Sequence, residues 1–179
     1  TECAAIKEFV FPDSLTAING MGMINMPSLQ KVHIGAGLTS SLAGAFTGDP
    51  NLSEITVAEG NPIYHAVDNV LYGIMTEEAD KGGAEEFPPI AGKHLFLSLP
   101  TNTFSDYAVE EGTVAIDAQA FRNNTSLRKV ALPEGLKQLR TGSFNNCSSL
   151  SDISFPDSLE HVSGLYGVSG LKTADFGTK

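Results

Sequence analysis

The side chains able to do chemistry in this 179-residue chain are few and widely spaced. There are four histidines (His33, His65, His94 and His161), two cysteines (Cys3 and Cys147) and one acid-rich run, Glu77, Glu78, Asp80, Glu85 and Glu86. No HExxH places two imidazoles on one helical face, and no CxxC offers thiolates at structural-zinc spacing. The acid run lacks the alternating oxygen ligands of a calcium loop, so it reads as a solvated, mobile tip. No GxSxG elbow, phosphate loop or dinucleotide fingerprint occurs. His33 falls at an outward strand position and His161 in a turn, and the histidines as a group read as solvated or edge residues. The expectation is no catalytic constellation, no resident metal and no cofactor.

Charge narrows the partners. Eleven Lys and Arg against 21 Asp and Glu give a formal net charge of −10. The basic residues are scattered, whereas binding to a phosphate backbone needs them clustered, so nucleic acid is excluded and anionic lipid disfavoured. No apolar run approaches the roughly 20 residues of a membrane-spanning helix. Hydrophobic residues make up 41% of the chain, enough for an ordered, soluble fold.

What organises these residues is a repeat. Residues 127 to 149 read LRKVALPEGLKQLRTGSFNNCSS, and the phrase restarts at 150 as LSDISFPDSL; residues 6 to 15, IKEFVFPDSL, are nearly the same. The units open at Ile6, Leu29, Leu52, Phe104, Leu127, Leu150 and Leu171. Four of the steps are equal: Ile6 to Leu29, Leu29 to Leu52, Phe104 to Leu127, and Leu127 to Leu150. The stretch from Leu52 to Phe104 is interrupted, and the last step, Leu150 to Leu171, is shortened. Apolar residues fall at positions 1, 4, 6, 10, 13 and 18 of a unit: Leu127, Val130, Leu132, Leu136, Leu139 and Phe144. Positions 4 and 6 alternate with polar neighbours, which predicts a half-buried strand. Pro12, Pro133 and Pro156 at position 7 end it, and Ser14, Gly37, Gly60, Gly112, Gly135 and Ser158 at position 9 let the chain turn. The short polar stretch after the position-18 Phe can cap backbone groups between stacked coils, which places Cys147 in a buried polar ladder and not among reactive thiols. One such coil buries too little apolar surface to offset its ordering, so the units must stack.

The phrase L-x-x-I-x-L-P-x-G-L-x-x-I-x-x-x-A-F-x-N-C-x-S resembles the BspA-like leucine-rich repeats, with Phe46, Phe121 and Phe144 matching the signature Phe. The resemblance implies a right-handed leucine-rich-repeat solenoid. Seven units predict about seven 23-residue coils with one parallel β-sheet face, forming a single domain over residues 1–179. Residues 60–103 are expected to leave the frame as an inserted β-hairpin, with strands near Val70 to Ile74 and His94 to Leu99 and a tip at 77–93. The first unit departs from the pattern, with Met23 at the Phe position and Met26 at the Cys position.

A solenoid sheet projects alternate residues outward, which makes Glu8, Lys31, His33, Glu54, Thr56, Asp106, Lys129 and Asp152 the candidate binding face. Tyr64, Tyr72, Phe87 and Phe96 on the excursion are candidate hairpin contacts, although Tyr64 and Tyr72 also suit packing under a loop. The resemblance implies display outside a bacterial cell, as a surface or secreted adhesion module. Its partner would be a host matrix or other cell-surface protein. A glycan ligand and a role as structural spacer remain the alternatives, the absence of Trp counting against the glycan.

Overall fold

The computed structural model describes residues 5–18, 25–81, 87–163, 165–172 and 175–176. Strands β1 (Glu8–Val10), β2 (Lys31–Ile34) and β3 (Glu54–Val57) form one parallel sheet. Its register sets Glu8 opposite Lys31 and Lys31 opposite Glu54, which is the repeat step of the sequence. The excursion follows: β4 (Tyr64–Val67), β5 (Val70–Met75), a one-turn helix α1 (Glu77–Asp80) and β6 (Gly92–Ser98). The stack then resumes with β7 (Asp106–Ala108), β8 (Thr113–Ile116), β9 (Lys129–Ala131), β10 (Gln138–Leu139), β11 (Asp152–Phe155), β12 (His161–Val162) and β13 (Asp175–Phe176). In the last coil Ser154 pairs with Asp175, so the short step from Leu150 to Leu171 is a real shortening of the coil.

The solenoid is as expected, but its sheets divide differently. The front face is two blocks, β1-β2-β3 and β7-β9-β11-β13. A second sheet of six strands, β12-β10-β8-β6-β5-β4, runs along the adjacent side. The excursion causes both differences. It interrupts the front ladder, and β6 pairs in parallel with β8 while pairing antiparallel with β5, which welds the excursion to the side strands of the coils. The expected hairpin is a three-stranded meander. Asp68 and Asn69, with φ of 50° and 57°, make the tight left-handed turn that joins β4 to β5.

The repeat positions explain the core. Leu127, Leu136, Leu139 and Phe144 are fully buried and Val130 nearly so, while Leu132 is half-buried. Phe121 and Phe144, the same position on successive coils, stack at 5.0 Å with an 11° interplanar angle. Cys147 is buried as expected; its Sγ donates to the Phe121 carbonyl at 3.0 Å, and burial pushes the thiol up to about 12. Cys3 and Met23 lie outside the described residues.

Two rows of left-handed backbone shape the turn side. Gly44, Gln119 and Gly142 share position 16, and Asn25, Gly48, Asn123 and Asn146 share position 20, all with φ between 56° and 85°. Glycine and Asn tolerate this region best. At position 20 the amide donates to the next coil: Asn25 to Thr47, Asn123 to Asn145 and Asn146 to Tyr166.

Phe144→Ala empties a fully buried site and removes one ring of the stack, and should cost about 3–5 kcal/mol in a denaturant melt. A variant that unfolds at the parent midpoint would contradict the coil frame.

Candidate functional site

Two places concentrate polar chemistry: the front face, and a buried cluster under the excursion. On the front face the register turns single charges into ladders. Glu8, Lys31 and Glu54 are successive rungs, and so are Asp106, Lys129 and Asp152. Lys31 Nζ lies 2.6 Å from Glu54 and Lys129 Nζ 3.1 Å from Asp152, both largely exposed pairs. Hydrogen bonding to Glu54, then its charge, raises the Lys31 pKa. Two residues along, His33 Nδ1 meets Thr56 Oγ1 at 2.9 Å. All eight sequence-derived face residues therefore lie on two sheet blocks, five or three to a block, and the excursion separates the blocks.

The expected hairpin contacts are placed differently. Tyr64, Tyr72 and Phe96 are buried at 3%, 0% and 3% exposure, so they serve as core and offer no surface. The Tyr72 hydroxyl pairs with that of Tyr107 at 2.8 Å and accepts the Glu110 amide at 3.2 Å, stitching β5 to the coil that starts at Phe104. Burial raises the Tyr72 hydroxyl. Only Phe87 is half-open, with its ring 5.1 Å from that of His161. His161 itself lies in β12 and not in a turn. His65 bonds Glu110 at 3.0 Å at the excursion's edge, where Lys93 also reaches Glu110 at 3.0 Å. Burial pushes the Glu110 carboxyl up, but the hydrogen bonds from Lys93 and His65 outweigh it and hold it low.

The buried cluster is the feature that sequence reasoning missed. His94, Asp117 and Arg140 occupy one repeat position on successive coils, and all three are buried. The excursion lays Asp80 and Ile90 over them. Arg140 Nη1 donates to Asp80 Oδ1 at 2.7 Å and to Asp117 Oδ1 at 2.8 Å. Its Nη2 donates to Asp80 Oδ2 at 2.6 Å and to Gln138 Oε1 at 3.0 Å, and Nε donates to the same Gln138 oxygen at 3.0 Å. All five guanidinium protons are used. Asp80 also accepts the Ile90 amide, His94 Nε2 donates to the Ile90 carbonyl, and Gln138 donates to the Pro88 carbonyl.

Two expectations change here. His94 is not a solvated edge residue, because the tip folds back over it. The tip is not free either: Glu77 to Asp80 form α1, capped by the Thr76 hydroxyl accepting from the Ala79 amide, and Asp80 is 3% exposed. Glu85 and Glu86 lie outside the described residues. Asp80, His94 and Asp117 do bring three ligand atoms within 4.8 Å of one another. The Arg140 guanidinium already stands between the two carboxylates, however, and repels a second cation from the same oxygens. The cluster is therefore read as an ion network that fastens the excursion to the second sheet. Burial raises the Asp80 carboxyl, while the Arg140 and Ile90 hydrogen bonds and the Arg140 charge lower it by more. The signal that carries the cluster is the recurrence of polar residues at the repeat spacing, which an alignment of apolar positions alone does not weigh.

A second buried carboxylate has no such partner. Asp49, at 2% exposure, accepts the Met26 amide through Oδ1 at 2.6 Å, while Oδ2 has no hydrogen bond among the described residues. Burial pushes its pKa up to about 6, against the smaller opposing effect of the Met26 amide.

These placements give two predictions. Arg140→Met leaves two buried carboxylates without their guanidinium and should cost about 3–5 kcal/mol, with protease cutting at α1 appearing before global unfolding; equal protection of α1 in the variant would contradict the fastening role. Asp49 has a raised folded pKa, so its ionised form opposes folding, and that penalty is absent below about pH 4 and complete above about pH 6. Asp49→Asn should therefore stabilise the chain by about 1–3 kcal/mol at pH 7.5, with the gain vanishing in melts at pH 4.

A sequence profile of the BspA type leucine rich repeat region matches residues 1–72 and 93–176 in six copies, leaving out α1 and the segments flanking it. No curated protein matches the chain. Three solved structures share the fold. A leucine-rich repeat protein from Eubacterium ventriosum is 19% identical with a TM-score of 0.66, over 96% of this chain and 42% of that one. The pneumococcal vaccine antigen PcpA is 16% identical with a TM-score of 0.65, over 94% and 50%. A leucine rich cell surface protein from Faecalibacterium prausnitzii is 16% identical with a TM-score of 0.52, over 99% and 61%. The chain thus spans about half the length of the structures it resembles. With both the six-copy profile and the coil register in agreement, this chain belongs to the BspA-type leucine-rich-repeat family.

Proposed function

We propose that the chain is a non-catalytic, surface-displayed or secreted binding module that recognises a protein partner through its front sheets. The observation that carries this reading is the twice-repeated acid–lysine–acid ladder, Glu8–Lys31–Glu54 and Asp106–Lys129–Asp152. Exposed pairs of this kind add little stability, under about 1 kcal/mol each. Their charges are held at strand spacing on a rigid sheet, which favours orientation-specific recognition. Small neighbours, Ala108, Ala131 and Ser154, leave room for a partner to approach. The Arg140 cluster supports the non-catalytic part, because its groups are buried and all five guanidinium protons are held by Asp80, Asp117 and Gln138. Surface display is supported by the family and by similar proteins described as a vaccine antigen and a cell surface protein. In this reading the partner is a host matrix or neighbouring cell-surface protein, and a glycan-capturing role or a spacer role is the competing outcome.

The test is capture of purified extracellular-matrix proteins on the immobilised chain, comparing the parent with the double variant Lys31→Glu, Lys129→Glu. Charge reversal at both ladder centres should reduce capture about tenfold or more, while the like-charge rungs it creates should lower the melting temperature by only a few degrees. Capture that ignores the reversal moves the binding surface elsewhere, and a parent that captures nothing favours the spacer.

A further inference from the structure

The chain contains one Asp–Pro bond, Asp49–Pro50. Its two residues open a turn. The Leu52 amide donates to the Asp49 carbonyl at 3.2 Å, with Pro50 in the second position, where its fixed φ belongs. The turn is held against the preceding coil at two points. The Met26 amide donates to Asp49 Oδ1 at 2.6 Å, and the Asn51 side-chain amide donates to the Pro27 carbonyl at 2.6 Å. The bond has a buried side and an open side, since Asp49 is 2% exposed and Pro50 lies at the surface.

Asp49 stands at position 21, where later coils place a donor. Asn124 donates from there to the Ser98 carbonyl, and Cys147 to the Phe121 carbonyl. A carboxyl group donates only in its acid form, and burial favours that form, against the smaller effect of the Met26 amide. The charged side chain that lines the cleft beside this turn, Arg122, bonds Gln119 Oε1 at 2.8 Å. Oδ1 of Asp49 is committed to Met26, whereas Oδ2 has no partner among the described residues. Covalent geometry joins that oxygen to the Asp49 carbonyl carbon through Cγ, Cβ and Cα. Attack on that carbon closes a five-membered ring and costs little entropy. The carbonyl attacked is the one that the Leu52 amide already polarises. Proline is a favourable leaving group, because its nitrogen departs as a basic secondary amine.

We propose that the chain cleaves itself between Asp49 and Pro50 in mild acid. Oδ2 of the Asp49 carboxylic acid attacks the Asp49 carbonyl carbon and forms a C–O bond. The carboxyl proton passes to the Pro50 nitrogen, the C–N bond breaks, and Pro50 leaves as the amine. The cyclic anhydride left on Asp49 takes up one water molecule and opens to two free carboxyl groups. The net change is hydrolysis of one peptide bond, with nothing oxidised or reduced. The cut falls between the coils that start at Leu29 and Leu52. The pieces stay together, because the β2–β3 ladder and the Gln30 carbonyl, which accepts from Ser53 and Glu54, bridge it.

The test is denaturing intact-mass spectrometry of the whole chain, sampled over weeks at pH 5 and at pH 7.5. Fragments 1–49 and 50–179 should accumulate at pH 5 at a rate independent of protein concentration, their masses summing to the chain plus one water. Asp49 titrates at about 6, so the acid fraction, and with it the rate, should be about thirtyfold lower at pH 7.5. In concentrated urea at pH 5 the carboxyl returns to its ordinary range, and cutting should slow about tenfold. Asp49→Asn removes the acid proton and Pro50→Ala the tertiary amide; each should slow cutting about tenfold or more, with the circular dichroism of the parent. A chain that stays intact at pH 5, equal rates at the two pH values or in urea, or cutting that persists in Asp49→Asn or Pro50→Ala would each overturn the proposal.

Discussion

Everything in this structure depends on the register between coils. A backbone amide in one coil finds its acceptor in the next because chemically matched positions recur in every unit, as when Lys31 meets Glu54 on the front and Asn123 meets Asn145 on the turn side. The register propagates side chains as well as hydrogen bonds. Phe121 therefore stacks on Phe144, and the Cys147 thiol reaches the Phe121 carbonyl. Each coil completes its neighbour's hydrogen bonding, so a single coil has no stable structure of its own. Left-handed residues at positions 16 and 20 are the local condition for this, because they aim successive amides across the boundary.

The same register explains why an insertion is tolerated. The excursion leaves the stack through β4 and β5 and re-enters through β6, which lands His94 in line with Asp117 and Arg140. Three polar residues are thereby placed where an ordinary coil needs no charge. The buried guanidinium would be prohibitively costly alone, but Asp80 from the excursion supplies a bidentate carboxylate and Gln138 the remaining acceptor. The network yields less stability than an apolar core of equal volume would. What it supplies is position, since Asp80 of α1 takes two of the five guanidinium protons and so ties α1 to the coils.

Much of this architecture is legible in the sequence, and the unread parts have physical causes. Positions 1, 4, 10, 13 and 18 reveal the core because burial selects apolar side chains strictly, and Leu127 through Phe144 fall where the frame puts them. The split of the front sheet is not legible, because it depends on which edge β6 chooses, and that is decided by long-range pairing with β8. The burial of His94 and Asp80 is not legible for a related reason. A histidine in a strand and an aspartate in an acid-rich run look solvated until a third residue, Arg140, far along the chain from Asp80, joins them. Tyr64 and Phe96 suit a contact surface on sequence alone because aromatic residues serve both interfaces and cores, and their T-shaped packing at 5.5 Å settles them as core.

Regular coils leave little to recognise. Their main-chain groups are paired with their neighbours, and their apolar positions are committed to the stack. Among the described residues, chemistry remains available in two kinds of place. One is the outward side of the front strands, where side chains such as Lys31 and Lys129 are free of any stacking duty. The other is a place where the pattern fails, as at Pro100, which has no N–H to donate at the position where Asn123 donates to Asn145 on the next coil. The first varies without disturbing the fold, so it suits recognition tuned residue by residue. The second brings together groups that no regular coil supplies alone, as when the excursion lays Asp80 on Arg140. In a solenoid, departures from the repeat are thus where specific chemistry accumulates, and the consensus positions are where it cannot.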